Sequence, residues 1–289
     1  MEKRRMLGFG NSPQEALAAS LLVMVLVGIF ASGLMRWRRL MLPTDLLMPV
    51  ALLAAYWLVY NKVPAFPPVG AVNKVFYAIV IGTAVGFAVE IAAQRAVRVV
   101  SLFQPVAAAF YIGLPRLGVA TWEVVAAAMA GVAIMWFILR ETSVRAEDDV
   151  RRGGVVAVFA LGFAPIALLG ASSSSFQLCL MLAAGCLGIF LVHIINPVFR
   201  FGGASSTGAL GGLISVAYTV VLITRKADLL AIAILGFCVV LPVFSEGICR
   251  MLGVSRQFPR LFVHVALAVL PAALAVAVAF LDYGSSFPV

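Results

Sequence analysis

Long, uninterrupted runs of apolar residues constrain this chain more than any other feature of its sequence. A membrane-spanning helix needs about 20 such residues, and in lipid only helices or closed barrels satisfy every backbone polar group. The runs lack the alternation expected of strands. Of the 289 residues, 63% are hydrophobic and 11% are charged, whereas a soluble domain has about 25% charged residues. The sequence therefore predicts an all-α integral membrane protein.

We predict ten transmembrane helices in one polytopic membrane domain, residues 1–289. A charged cytoplasmic loop, residues 140–153, separates two blocks of five spans. The first run is long and has no clear cleavage site after it, so we interpret it as a retained span and not as a signal peptide. By hydropathy the predicted spans are residues 14–35, 44–60, 71–93, 97–115, 119–139, 154–171, 175–196, 207–224, 228–248 and 261–281.

The distribution of positive charge predicts that both termini lie outside. With this orientation, thirteen of the 21 Lys and Arg residues fall in cytoplasmic connections, in agreement with the positive-inside rule. We expect a protein integral to the cell (inner) membrane of a bacterium. Basic loops that face anionic lipid explain the net charge of +9. No basic stripe is interleaved with aromatic residues, so no nucleic-acid partner is expected.

Polar residues at membrane depth are costly and are candidates for function, and most of them lie at the predicted cytoplasmic face. Glu90 ends the third span, although it can instead snorkel toward Arg95 and Arg98. The segment 196–213, NPVFRFGGASSTGALGGL, forms a glycine- and serine-rich loop after the seventh span. Its backbone N–H groups at a helix start can cradle an anion, or its small residues can allow close helix packing.

From "LGIFLVHIINPVFRFGGASSTGALGGLISVAY" through "RKADLLAIAILGFCVV", the chain resembles the polyprenyl-phosphate N-acetylhexosamine-1-phosphate transferases, and most closely the phospho-N-acetylmuramoyl-pentapeptide transferase type. In that family a "VFMGD.GS" loop precedes a span that opens with "LGG". Three weaker likenesses extend the comparison. Gly86-Phe87 is similar to the family motif "GF.DD", and the loop before the sixth span is similar to the family motif "N..N..DG.DG". The segment "LPTDLLMP" of this chain is similar to the family motif "TPTMGG". The loop outline is kept by Val198-Phe199, Gly202, Ser206 and Leu210-Gly211-Gly212.

The chain departs from the family at the acidic residues on which its chemistry depends. Joining two phosphates requires a metal that offsets their charge, and Mg²⁺ takes carboxylate oxygens. Val89-Glu90 stands where the family has the paired aspartates of "GF.DD", and Gly203 replaces the aspartate of the "VFMGD.GS" loop. In the family motif "N..N..DG.DG", Asp148 matches one aspartate. Arg145 stands at the position of an asparagine of this motif, and Arg151 stands at the position of a second aspartate. The histidine-rich stretch is replaced by "SRQFPR".

We therefore predict a catalytically degenerate, transferase-like protein. It would bind a polyprenyl phosphate or another anionic lipid at its cytoplasmic face, or serve as a scaffold for envelope machinery such as that of peptidoglycan synthesis. Besides lipids, a membrane-protein partner or a second copy of the chain is expected. Candidate catalytic residues are Glu90 and Asp148, no metal ligand is assigned, and Mg²⁺ is expected only if the protein is active. The candidate phosphate- or lipid-binding residues are Arg145, Arg151, Arg152, Arg200, Gly202, Gly203, Ser205 and Ser206.

Two other hypotheses remain open at this point. Ten spans in two blocks also suit a small-molecule transporter of the drug/metabolite type, whose folds often carry inverted repeats and broken helices near the midplane. No convincing repeat relates residues 14–139 to residues 154–281. The third hypothesis is an active, metal-dependent phosphoglycosyl transferase that uses displaced acidic residues.

Overall fold

The computed structural model of the chain describes residues 12–38, 42–140, 146–194, 198–253 and 257–283. Within these ranges every regular element is helical, and the predicted all-α class is confirmed. The α-helices are α1 (Pro13–Trp37), α2 (Leu47–Tyr60), α3 (Ala71–Ala92), α4 (Val97–Gly113), α5 (Thr121–Leu139), α6 (Ala146–Leu169), α7 (Ser173–His193), α8 (Gly211–Tyr218), α9 (Leu229–Val240), α10 (Ser245–Met251) and α11 (Gln257–Tyr283).

Ten stretches of the described chain are long and apolar enough to cross a membrane, which confirms the predicted number of spans. The helices start and end within a few residues of the predicted bounds, except at the sixth span. We predicted its start at residue 154, but α6 already begins at Ala146. The charged residues of this turn form ion pairs three positions apart, Asp148 with Arg151 and Asp149 with Arg152. Such pairs stabilise a helix, so the charged connection is shorter than residues 140–153.

The eighth span, Ser205–Thr224, is one of the two most buried spans. Its centre is the short helix α8, and a wider π-helical turn flanks α8 on each side, at Ser205–Leu210 and Thr219–Thr224. Such turns are rare and are frequently found at functional sites. Both ends of this span are therefore candidates for a functional site.

The first span is held against the seventh at the level of the backbone. A Cβ atom on Gly28 of α1 would lie 2.5 Å from the carbonyl oxygen of Gly185 in α7, and one on Gly188 would collide with the carbonyl oxygen of Val25. Glycines at such positions let two helices approach closely in a membrane. We call Gly28, Gly185 and Gly188 the α1–α7 glycine contact.

Candidate functional site

The glycine-rich loop at the start of the eighth span is bound by a carboxylate from a distant part of the chain. Asp45 lies in a short 3₁₀ turn, Leu42–Leu46, that leads into α2, and it is 1% exposed. Its carboxylate accepts the backbone N–H groups of Gly202 at 2.7 Å, Ala204 at 2.7 Å and Ser205 at 2.9 Å. The Ser205 hydroxyl donates in return to the Asp45 carbonyl at 2.8 Å. Asp45 therefore acts as an anion bound at a helix N-terminus, where partial positive charge favours it.

Glu90 approaches the same loop from the end of α3. Its Oε2 accepts the N–H of Gly203, and its Oε1 lies 2.5 Å from Nη2 of Arg200. The Glu90 side chain is 5% exposed. Glu90 thus points into the protein and pairs with Arg200, instead of snorkelling toward Arg95 and Arg98.

These two carboxylates occupy the amide groups that the sequence analysis assigned to a phosphate. Gly202, Gly203, Ala204 and Ser205 donate to Asp45 or Glu90, and the N–H of Ser206 donates to the carbonyl of Gly202. Two carboxylates and one guanidinium leave the loop with a formal charge of −1. A phosphate brought to these amides would meet like charge.

The loop is also packed tightly against α3. A Cβ on Gly203 would collide with the carbonyl oxygen of Gly86 and lie 2.8 Å from its carbonyl carbon. The Thr207 hydroxyl donates to the carbonyl of Gly82 at 2.5 Å, and a Cβ on Gly82 would lie 2.5 Å from the Thr207 carbonyl oxygen. Small residues therefore serve close helix packing here, the second of the two interpretations of this loop.

A second polar cluster lies between the start of α6 and the short helix α10. The Arg151 guanidinium lies 3.6 Å from the Asp148 carboxylate and 3.8 Å from the Glu246 carboxylate, and Glu246 lies 3.9 Å from Arg250. Arg151, Arg250 and Arg260 line a cavity of about 150 Å³ together with Ser245, Glu246 and Cys249. We call this the arginine cavity. Three cations and one carboxylate in its lining favour an anionic ligand.

Both clusters lie at the same membrane face, because successive spans run in opposite directions. The third span ends there, and the second, sixth and eighth spans begin there. In the described parts of the chain, no three His, Cys, Asp or Glu side chains are grouped so that they could hold a metal ion.

The structure divides the predicted site residues between the two clusters. Glu90, Arg200, Gly202, Gly203, Ser205 and Ser206 lie at the loop, and Asp148 and Arg151 lie at the start of α6. Arg152 pairs with Asp149 beside them. Arg145 lies outside the described residues. Sequence reasoning missed Asp45 as a site residue, although it stands in "LPTDLLMP" and is an acidic residue at the start of an apolar span.

No known family model matches this sequence, and none of the curated proteins is similar to it. The likeness described above therefore depends on the motif outline and on the arrangement of these residues.

Proposed function

We propose that the chain is a catalytically degenerate relative of the polyprenyl-phosphate sugar-1-phosphate transferases that binds the phosphate of an anionic membrane lipid in the arginine cavity. One observation carries the proposal. At the loop where the family places its chemistry, the chain's own carboxylates bind the backbone N–H groups, and the loop glycine is packed against α3. In this proposal the site faces the cytoplasm of a bacterial cell, the lipid is a polyprenyl phosphate or a related anionic lipid, and envelope proteins or a second copy are its partners.

The contact between α3 and the glycine-rich loop supports the proposed relationship. The resemblance aligns Val89-Glu90 and Gly203 with two family motifs that act at one site. These motifs are more than 100 residues apart in the sequence, yet the Glu90 carboxylate accepts the Gly203 N–H group. Had the two residues faced different sides of the bundle, the proposal would have no basis.

The partners of the two buried carboxylates support the loss of catalysis. A general base or a metal ligand needs lone pairs that can face a substrate or an ion. Both Asp45 oxygens accept backbone N–H groups, and both Glu90 oxygens face Arg200 or Gly203. Gly203 contributes no side chain, and the packing against Gly86 leaves no space for one.

The arginine cavity supports lipid phosphate as the ligand. An arginine guanidinium carries five N–H donors in a planar fork that matches phosphate oxygens. The cavity lies at the end of the spans, where lipid headgroups lie, and Arg250 is 81% exposed there. Arg200 lies 2.5 Å from Glu90, a closer pair than the 3.6–3.9 Å pairs of Arg151 and Arg250, so its role is to hold the loop.

We expect Arg250→Ala/Arg260→Ala to weaken retention of undecaprenyl phosphate by about tenfold or more, because each charge-assisted hydrogen bond contributes about 1.5–3 kcal/mol. Native mass spectrometry of the purified chain with added undecaprenyl phosphate measures the effect. The matched control is Arg95→Ala/Arg98→Ala, which removes two arginines from the same membrane face outside the cavity. Equal losses in the two double variants, or no retention by the wild type, would remove the arginine cavity from the proposal.

We also expect the purified chain to release no UMP from UDP-amino sugars in the presence of Mg²⁺ and undecaprenyl phosphate. The reason is that the carboxylates needed to hold the metal are replaced at Val89, Arg151 and Gly203 or engaged elsewhere. The measurement is UMP release over hours at high protein concentration. Turnover that disappears in Asp148→Asn would contradict the proposal and favour the active transferase.

The transporter hypothesis would be favoured by a solute site at mid-depth between two bundles. A cavity that reaches mid-depth does exist, but it lies to one side of the eighth span and its walls are mainly apolar. Such walls suit a hydrocarbon ligand better than a polar solute. We therefore prefer the transferase-like proposal.

A further inference from the structure

A carboxylate stands among the guanidinium groups of the arginine cavity. Glu246 of α10 directs its Oε1 toward Arg151 of α6 at 3.8 Å and its Oε2 toward Arg250, four residues further along α10, at 3.9 Å. Both distances are longer than the about 2.7–2.9 Å of a charge-assisted hydrogen bond. The carboxylate therefore screens two cations from a position between them, without a close hydrogen bond to either.

The Glu246 side chain is able to leave this position. It is 66% exposed, and ion pairs that reach water contribute little to stability. Arg151 has a second carboxylate, that of Asp148 in its own helix, at 3.6 Å. When Glu246 turns into solvent, Arg151 therefore stays partly neutralised, and the charge of Arg250 becomes available to another anion.

The helix that carries Glu246 is anchored by a different residue. The 3₁₀ turn Leu241–Phe244 separates α10 from α9, and Pro242 in this turn has no backbone N–H group. Ser245, at the start of α10, shares a hydrogen bond of 2.9 Å with His264 of α11, and both side chains are buried. This bond ties the start of α10 to α11, so Glu246 can turn outward while the helix stays in place.

Size and charge restrict the group that can take its place. The arginine cavity has a volume of about 150 Å³, whereas sites for drug-sized ligands have about 300–1,000 Å³, so it suits one small group. A phosphate monoester carries a charge of about −1.5 to −2 at neutral pH. It therefore gains more from the same two guanidinium groups than a carboxylate does. A singly charged phosphodiester offers them no more charge than Glu246 already does.

We infer that Glu246 holds the place of the ligand's phosphate in the empty arginine cavity and is displaced when a phosphate monoester binds. The phosphate then bridges Arg151 and Arg250 as the carboxylate did, and Glu246 turns to solvent. Glu246 thereby sets the affinity that an anion needs, and it disfavours the singly charged headgroups of the surrounding membrane. The inference rests on the proposed function, whose ligand it restricts.

The first test measures the dissociation constant of dodecyl phosphate for the full chain in dodecyl maltoside micelles, which carry no charge. Glu246→Gln should bind about threefold to tenfold more tightly than the wild type, because it removes the competing charge and keeps the size of the side chain. The matched control is Glu123→Gln. It also removes a carboxylate that pairs with an arginine, Arg225 at 2.9 Å, but at the opposite membrane face, and should leave the constant unchanged.

The second test separates displacement from a structural role. Without ligand, Glu246→Gln should speed amide hydrogen exchange in α10 by about twofold to fivefold, because the contact with Arg151 is lost. A displaced carboxylate predicts this loosening together with tighter binding. A carboxylate that only stabilises the cavity predicts loosening with weaker binding, and that result would contradict the inference. Glu246→Ala repeats both measurements without a polar side chain.

Two further ligands define the bound group. Methyl dodecyl phosphate, which is singly charged, should bind the wild type more weakly than dodecyl phosphate and gain affinity in Glu246→Gln. If inorganic phosphate binds as tightly as dodecyl phosphate, the source is a free anion; if dodecyl phosphate binds more tightly, it is a lipid headgroup. A gain in Glu246→Gln supports the inference in either case. Equal constants for wild type and Glu246→Gln would overturn the inference and leave the proposed function standing, whereas no binding by either protein would end both.

Discussion

Gly203→Asp, which returns the family's carboxylate to the loop, is expected to prevent stable folding instead of restoring activity. Any Cβ at this position meets the backbone of Gly86 in α3, and backbone atoms cannot rotate away as a side chain can. Overpacking a tight interface costs about 1–3 kcal/mol, occasionally more, and here the added carboxylate also lies beside Glu90. We expect a loss of about 3 kcal/mol or more.

The measurement is the unfolding midpoint in a denaturing-detergent titration, together with the yield of monodisperse protein. Gly203→Ala should already lower the midpoint, because the collision involves the Cβ itself. Gly247→Asp is the matched control, since Gly247 is exposed at the same membrane face and has open space around it. A stable Gly203→Asp protein that gained turnover would mean that the loop opens away from α3, and the closed site described above would be wrong.

Asp45→Ala is expected to release the glycine-rich loop. The substitution leaves three buried N–H groups, those of Gly202, Ala204 and Ser205, without their acceptor. Each unsatisfied buried donor costs about 1–3 kcal/mol, so the expected loss is about 3 kcal/mol or more. The unfolding midpoint and hydrogen exchange at residues 202–205 measure the two parts of the effect, stability and local opening.

Asp45→Asn separates charge from hydrogen bonding in this prediction. The amide keeps one acceptor oxygen for Gly202 and Ser205 but presents an NH₂ group to the N–H of Ala204. We expect a stability between wild type and Asp45→Ala. Asp282→Ala, at an exposed aspartate, should change stability by less than about 0.5 kcal/mol. If Asp45→Ala behaved like Asp282→Ala, Asp45 would not hold the loop.

The sequence predicted the membrane architecture well, because the hydropathy of each span is a local property. Every predicted span has a helical counterpart. The start of α6 was missed because charged residues alone indicate a loop, whereas the pairing of Asp148 with Arg151 makes the same residues compatible with a helix. The wide turns around α8 have no signal that we could identify in the sequence.

The candidate site was predictable only in part. The sequence indicated that backbone N–H groups at residues 202–206 are suited to an anion, and the structure has carboxylates there. That one of these carboxylates is Asp45 could not be derived, since 157 residues separate it from Gly202 and no local pattern encodes such a contact. Glu90 was identified as a candidate, but its pairing with Arg200 depends on the packing of α3 against the loop.

The α1–α7 glycine contact has a consequence for how the chain is made. A ribosome adds about 5–20 residues each second, so α1 leaves the ribosome roughly ten to thirty seconds before its partner surface in α7 exists. During that interval Gly28 faces lipid or the insertion machinery instead of Gly185. A chain that stops before α7 keeps this surface uncovered. The first span thus gains its partner surface late in synthesis, and the last three spans of the bundle are added only after that.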